Sequence, residues 1–128
     1  MNFFRMIKAL FTSAPRLTPA DCAGRIRWGE ALLVDVREPG EWTSGVAESA
    51  NLLPFSDLTG ARTRWTPFLA KAKGREILLY CASGARSSVA TRLLVAEGVR
   101  AANTGGFREW LSAGWPAVKP PRENSPKK

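Results

Sequence analysis

The stretch Glu76-Ile77-Leu78-Leu79-Tyr80-Cys81-Ala82-Ser83-Gly84-Ala85-Arg86-Ser87 sets an unbroken apolar run against a loop of small residues. Apolar residues without alternation mark a strand buried on both faces, as in a parallel sheet. Ser87 to Glu97 follows as a predicted helix, with Val89, Leu93 and Leu94 at helical spacing and Gly98 as its stop. In open parallel sheets, ligands bind beyond the carboxyl ends of the strands. Cys81 is placed there.

The loop after Cys81 suits an anion. Ala82, Ser83, Gly84 and Ala85 are small enough for consecutive backbone N–H groups to curl around one point. Such a nest, at the positive end of a helix dipole, attracts negative charge. Gly84 supplies backbone freedom at the tightest part of the curl. Arg86 adds a cation near the same point, or turns away to pair with Glu41 or Asp35. A cysteine held there ionises below the ordinary thiol range and becomes a candidate nucleophile. The competing reading is a buried structural cysteine at a strand end. Cys22 illustrates that reading, because it falls inside a predicted helix with no anion loop.

Outward from this stretch, Ala31-Leu32-Leu33-Val34-Asp35-Val36 is a second buried-strand pattern. Thr18-Pro19-x-Asp21 reads as an N-cap, and a helix over 19–27 ends near Gly29. Residues 37–42 turn into a short helix. Residues 49–53 form a short strand, bounded by Pro54. Residues 55–72 form a helix interrupted at Gly60 and Pro67. Residues 99–102 form a last strand, and Gly105-Gly106 opens a helix over 106–113. Strands alternating with helices predict an α/β domain over 16–118, its mainly parallel central sheet flanked by helices on both faces. The five tryptophans, Trp28, Trp42, Trp65, Trp110 and Trp115, are read as core filling rather than a pocket lining.

Composition narrows the chemistry. The chain has 128 residues, 45% hydrophobic and 23% charged, with two cysteines and no histidine. This is one globular domain. The missing histidine removes Ser-His-Asp and Cys-His catalysis and most zinc sites. The net charge of +8 suggests nucleic acid, but the excess sits at the ends. Arg5, Lys8 and Arg16 face no acid in the first sixteen residues, and Lys119, Arg122, Lys127 and Lys128 face only Glu123 near the other end. The near-balanced body argues against a nucleic-acid partner. The Pro/Lys-rich residues 119–128 read as a disordered tail. Residues 1–15 form an amphipathic segment in which Phe3, Phe4, Ile7, Leu10 and Phe11 share a helical face. It is expected to pack onto the domain, with membrane-surface contact of residues 1–12 as the lesser reading. The lack of disulfide pairing and of a clear export signal fits a reducing cytoplasm.

Taken in order, these residues resemble the rhodanese family of single-domain sulfurtransferases. Leu32 to Trp42 looks like the family's apolar strand ending in Asp-Val-Arg before an acidic turn. Ala50-Asn51-Leu52-Leu53-Pro54 is similar to its Ala-Asn-x-x-Pro segment. Cys81-x-x-Gly84-x-Arg86-Ser87 matches its active-site loop, and Gly105-Gly106 to Pro116 its closing motifs. Gly45-Val46-Ala47 departs from the usual Gly-His-Ile, so that histidine's polar contact is absent or replaced.

The resemblance implies transfer of sulfane sulfur through a Cys81 persulfide. The donor is thiosulfate or a related persulfide or polysulfide, and the acceptor is cyanide, a thiol or a protein. The amides of Ala82, Ser83, Gly84, Ala85 and Arg86 bind the donor, and Asp35, Arg37 and Glu41 brace the loop. No metal or organic cofactor is implied. Cys-x4-Arg is one residue shorter than the phosphatase loop Cys-x5-Arg. A cysteine-dependent phosphatase or arsenate reductase is therefore the alternative, with a non-turnover persulfide relay as another.

Overall fold

A computed structural model describes residues 3–121. Helix α1 (Phe3–Leu10) precedes α2 (Pro19–Arg27), β1 (Ala31–Asp35), α3 (Pro39–Trp42) and β2 (Val46–Ala47). Then come β3 (Asn51–Leu52), α4 (Phe55–Leu58), α5 (Trp65–Ala72) and β4 (Glu76–Cys81). The fold closes with α6 (Ala85–Ala96), β5 (Ala101–Gly106), α7 (Phe107–Ser112) and β6 (Ala117–Val118).

Among the described residues, four strands form one parallel sheet in the order β3-β1-β4-β5. The two predicted buried strands are its centre. Their unbroken apolar runs feed two cores. Val34, Ile77, Leu79 and Cys81 face one side with Leu58, Trp65, Leu93 and Leu94 of α4, α5 and α6. Leu33, Leu78 and Tyr80 face the other with Cys22 of α2 and Trp110 of α7. Each large buried aliphatic side chain contributes about 1.5–3 kcal/mol relative to exposure. The α/β class with helices on both faces stands.

Local chemistry sets the element ends. Thr18 Oγ1 accepts the Asp21 N–H at 3.2 Å and Asp21 Oδ2 accepts the Thr18 N–H at 3.1 Å, a reciprocal cap on α2. Asp57 accepts the N–H groups of Thr63, Arg64 and Trp65 and so fixes the start of α5. Pro67 sits in the first turn of α5, where its missing N–H costs nothing, and does not interrupt the helix. The break falls at 59–64 instead.

Several expectations are corrected. The last sheet strand runs over Ala101–Gly106 rather than 99–102, so Gly105 and Gly106 end a strand before α7 begins. Helix α6 starts at Ala85, two residues early. An antiparallel pair, β2 with β6, joins Val46 to Val118 and Ala47 to Ala117. Trp42, Trp65, Trp110 and Trp115 are buried, whereas Trp28 is 83% exposed. Helix α1 packs on α6, but through Ala9 rather than through its shared apolar face. Of the tail expected to be disordered, residues 122–128 lie outside the described residues.

Candidate active site

The site is the seam where β4, β5 and α6 meet. Leu79 pairs with Asn103, but Cys81 pairs with Gly106, so β5 carries one extra residue across the seam. That bulge bends β5 under the 81–87 loop. Gly84 has φ +100°, and a Cβ there would lie 3.3 Å from Gly105 Cα. A Cβ on Gly106 would fall 2.5 Å from the Ala82 carbonyl oxygen. Loop and bulge therefore touch backbone to backbone, and three glycines permit it.

Inside the loop, Cys81 Sγ is a point of convergence. The Gly84 N–H donates to it at 3.0 Å, the Ser87 N–H at 3.4 Å, and Ser87 Oγ lies at 3.4 Å. Burial alone would raise the thiol's pKa. The Ser87 hydroxyl, followed by the N–H groups of Ser87, Gly84 and Ser83, overcomes that burial and brings it below the ordinary value. Cys81 is fully buried, and Ala82, Ser83 and Ala85 are exposed in the loop around it.

Ser87 and Asn103 were not singled out as functional from sequence, although Ser87 ends the loop motif. Ser87 Oγ donates to Asn103 Oδ1 at 2.7 Å. Asn103 Oδ1 also accepts the Gly105 N–H at 3.0 Å, and Asn103 Nδ2 donates to the Gly84 carbonyl at 3.3 Å. This network ties bulge to loop. A hydroxyl has one proton. While Cys81 is a thiol, Ser87 gives that proton to Asn103. When the thiol ionises, the hydroxyl can rotate to the sulfur, and Asn103 Oδ1 keeps the Gly105 N–H. The readable signal was a polar side chain in a strand buried at every position.

The residues expected to brace the loop form a relay beside it. Arg37 is buried against Asp35, with Nη2 to Oδ2 at 2.8 Å and Nε to both carboxylate oxygens. Its remaining donors reach the Glu41 carbonyl at 3.3 Å and the Gly45 carbonyl at 2.8 Å. Glu41 then grips Arg86 with two bonds, at 2.7 and 2.8 Å. The Arg86 guanidinium holds the Glu41 carboxyl down at about 2. The cation expected beside the sulfur is thus paired with a carboxylate, the option the sequence left open. Asp35 and Arg37 do not touch the thiol. They fix the 41–45 turn that holds Arg86.

Val46, standing where the resemblance implies a histidine, is buried opposite Val118. Polar contacts in this segment come from Arg37 to the Gly45 carbonyl and from the Ala47 N–H to Tyr80 Oη at 2.9 Å.

A parallel α/β domain presenting a thiol within a glycine-closed loop at its sheet's carboxyl edge defines a class of cysteine-loop proteins. Residues 18–113 match the family model of the rhodanese-like domain, and the chain belongs to that family. It is 38% identical over 93 residues to a sulfurtransferase from Allochromatium vinosum, covering 71% of this chain and 81% of that protein. It is 38% identical over 90 residues to an uncharacterised Synechocystis protein, covering 69% of this chain. The chain spans about half, 47%, of that relative's length. A rhodanese-related protein from Thermoplasma volcanium superposes with a TM-score of 0.69 at 27% identity, covering 83% of this chain and 99% of that one.

Proposed function

We propose that the protein is a thiosulfate-type sulfurtransferase working through a Cys81 persulfide. The observation that carries this reading is the convergence of the Gly84 N–H, Ser87 N–H and Ser87 hydroxyl on Sγ, in a chain with no histidine to deprotonate it. Loop electrostatics replace a paired base.

The thiolate attacks the outer sulfur of thiosulfate. A new S–S bond forms to Cys81, the donor's S–S bond breaks, and sulfite leaves with that bond's electron pair. Cyanide or a thiolate then attacks the terminal sulfur, and the Cys81 thiolate leaves. Negative charge on the terminal sulfur is held by the amides of residues 82–86, as an oxyanion hole holds oxygen. Because Cys81 is fully buried, the loop segment 82–85, exposed at Ala82, Ser83 and Ala85, gives way as donor enters. Arg86, fixed by Glu41, keeps the end of that segment in register during the exchange.

A persulfide or polysulfide donor fits the same steps, with a thiolate as leaving group. Two free thiols suit a reducing compartment, and this reading places the protein in the cytoplasm. No helix of the described residues is long and apolar enough to cross a membrane. The six-residue ring is smaller than a phosphatase ring and suits one sulfur atom better than a tetrahedral phosphate. Incubation with thiosulfate and cyanide tests the proposal. Thiocyanate production supports it, and hydrolysis of p-nitrophenyl phosphate without thiocyanate favours the phosphatase instead.

A further inference from the structure

Helix α1 turns its apolar side away from the protein. At 100° per residue, Phe3, Phe4, Ile7, Leu10 and the following Phe11 fall within an arc of about 120°. All five are exposed, Phe4 and Phe11 at 79% and 87%. Ala9, on the opposite side of the helix, is the buried contact and joins the core that α6 helps to build. Lys8 borders the apolar arc, Arg5 lies toward the Ala9 side, and both are exposed. No acid occurs among the first sixteen residues, which carry Arg5, Lys8 and Arg16, the last paired with Glu109 at 3.1 Å. Monomeric proteins rarely gather so much apolar surface without covering it.

We propose that this face docks on an anionic lipid bilayer surface, with α1 lying in the plane of the interface. Charge selects the occupant. An apolar arc with Lys8 at its edge, in a segment that carries cations and no acid of its own, complements anionic headgroups over an acyl layer. A second copy of this chain would bring an equally basic helix against the first. Two eight-residue helices also bury far less than the roughly 1,200 Å² of a stable interface. Aromatic rings seat at the boundary between headgroups and acyl chains, and the basic side chains reach the headgroups. The contact is peripheral, because α1 is far too short to span a bilayer.

Co-sedimentation of the full chain with vesicles tests this. Vesicles of phosphatidylcholine with one third phosphatidylglycerol are expected to bind the protein, and pure phosphatidylcholine vesicles at least tenfold less. The Phe4→Glu/Phe11→Glu variant changes only exposed positions. It is expected to lose at least tenfold in binding while keeping its circular dichroism, Tm and thiocyanate production. Arg5→Gln/Lys8→Gln is expected to lose severalfold on anionic vesicles. Failure of the unaltered chain to bind anionic vesicles overturns the proposal. Unchanged binding of the Phe4→Glu/Phe11→Glu variant also overturns it, since charge elsewhere would then suffice. So does a self-associated chain without vesicle binding that the same variant turns monomeric, which would make a second copy the occupant.

Discussion

Cys22 and Cys81 are both free, both fully buried, and both in contact with the central sheet's cores. Their chemistry diverges all the same. Cys22 sits in α2 with no hydrogen-bond donor on its sulfur among the described residues, and burial pushes its thiol up to about 11. Cys81 sits where a strand stops and N–H groups point inward, and its thiol falls below the ordinary value. Burial is shared, so burial does not explain reactivity. The orientation of a few backbone dipoles and one hydroxyl does.

The largest test of this contrast is replacement. Cys81→Ser is expected to reduce thiocyanate production to the uncatalysed background, while Cys22→Ser stays within about twofold of the parent. Equal losses in a steady-state assay would break the distinction. Next in size, Ser87→Ala removes the one side-chain donor to the sulfur among the described residues but leaves the amides. Loss of one such donor lowers kcat by about 10²-fold. The same change should raise the pH midpoint of Cys81 alkylation by iodoacetamide, a shift that a merely loosened loop would not produce. If the midpoint stays put, the hydroxyl is not what holds the thiolate.

Alkylation also compares the two cysteines directly. Below pH 8, peptide mapping should find label on Cys81 well before Cys22, whose thiolate is scarce until pH approaches about 11. In denaturant the two should react alike.

The smallest effect concerns the Glu41–Arg86 clamp. Glu41 has its folded-state pKa depressed to about 2 from 4.5 by Arg86. Its contribution is complete above the unfolded value and lost as pH falls from about 4.5 toward 2. Because both side chains are about one-third exposed, solvent screening limits that contribution to about 1 kcal/mol. Glu41→Gln should therefore lower stability by about that amount at pH 7 and by nearly nothing at pH 2, as denaturant titrations would show.

Much of this was legible in the amino-acid order. The strands β1 and β4 announce themselves because burial on both faces demands an unbroken apolar run, and α2 does so through its Thr18–Asp21 cap. The loop was legible too, since only small residues can follow a strand-end cysteine and curl. Pairing partners far apart in sequence were not. Two-residue strands such as Val46–Ala47 and Ala117–Val118 carry no periodicity, and only the folded chain brings them together. Gly105-Gly106 reads as a helix opening because glycine leaves no pattern of its own. Its role is close backbone approach to Gly84 and Ala82, which is visible only across the seam. Arg86 had two plausible partners, and the position of α3 decides between them by presenting Glu41.

Cys81 alone is expected to carry the transferred sulfur. Intact-mass analysis after thiosulfate treatment, followed by peptide mapping without reductant, tests it most directly. One added sulfur on Cys81, absent from Cys81→Ser and present in Cys22→Ser, is the predicted result. No adduct on the folded protein, or an adduct that maps to Cys22, would contradict it.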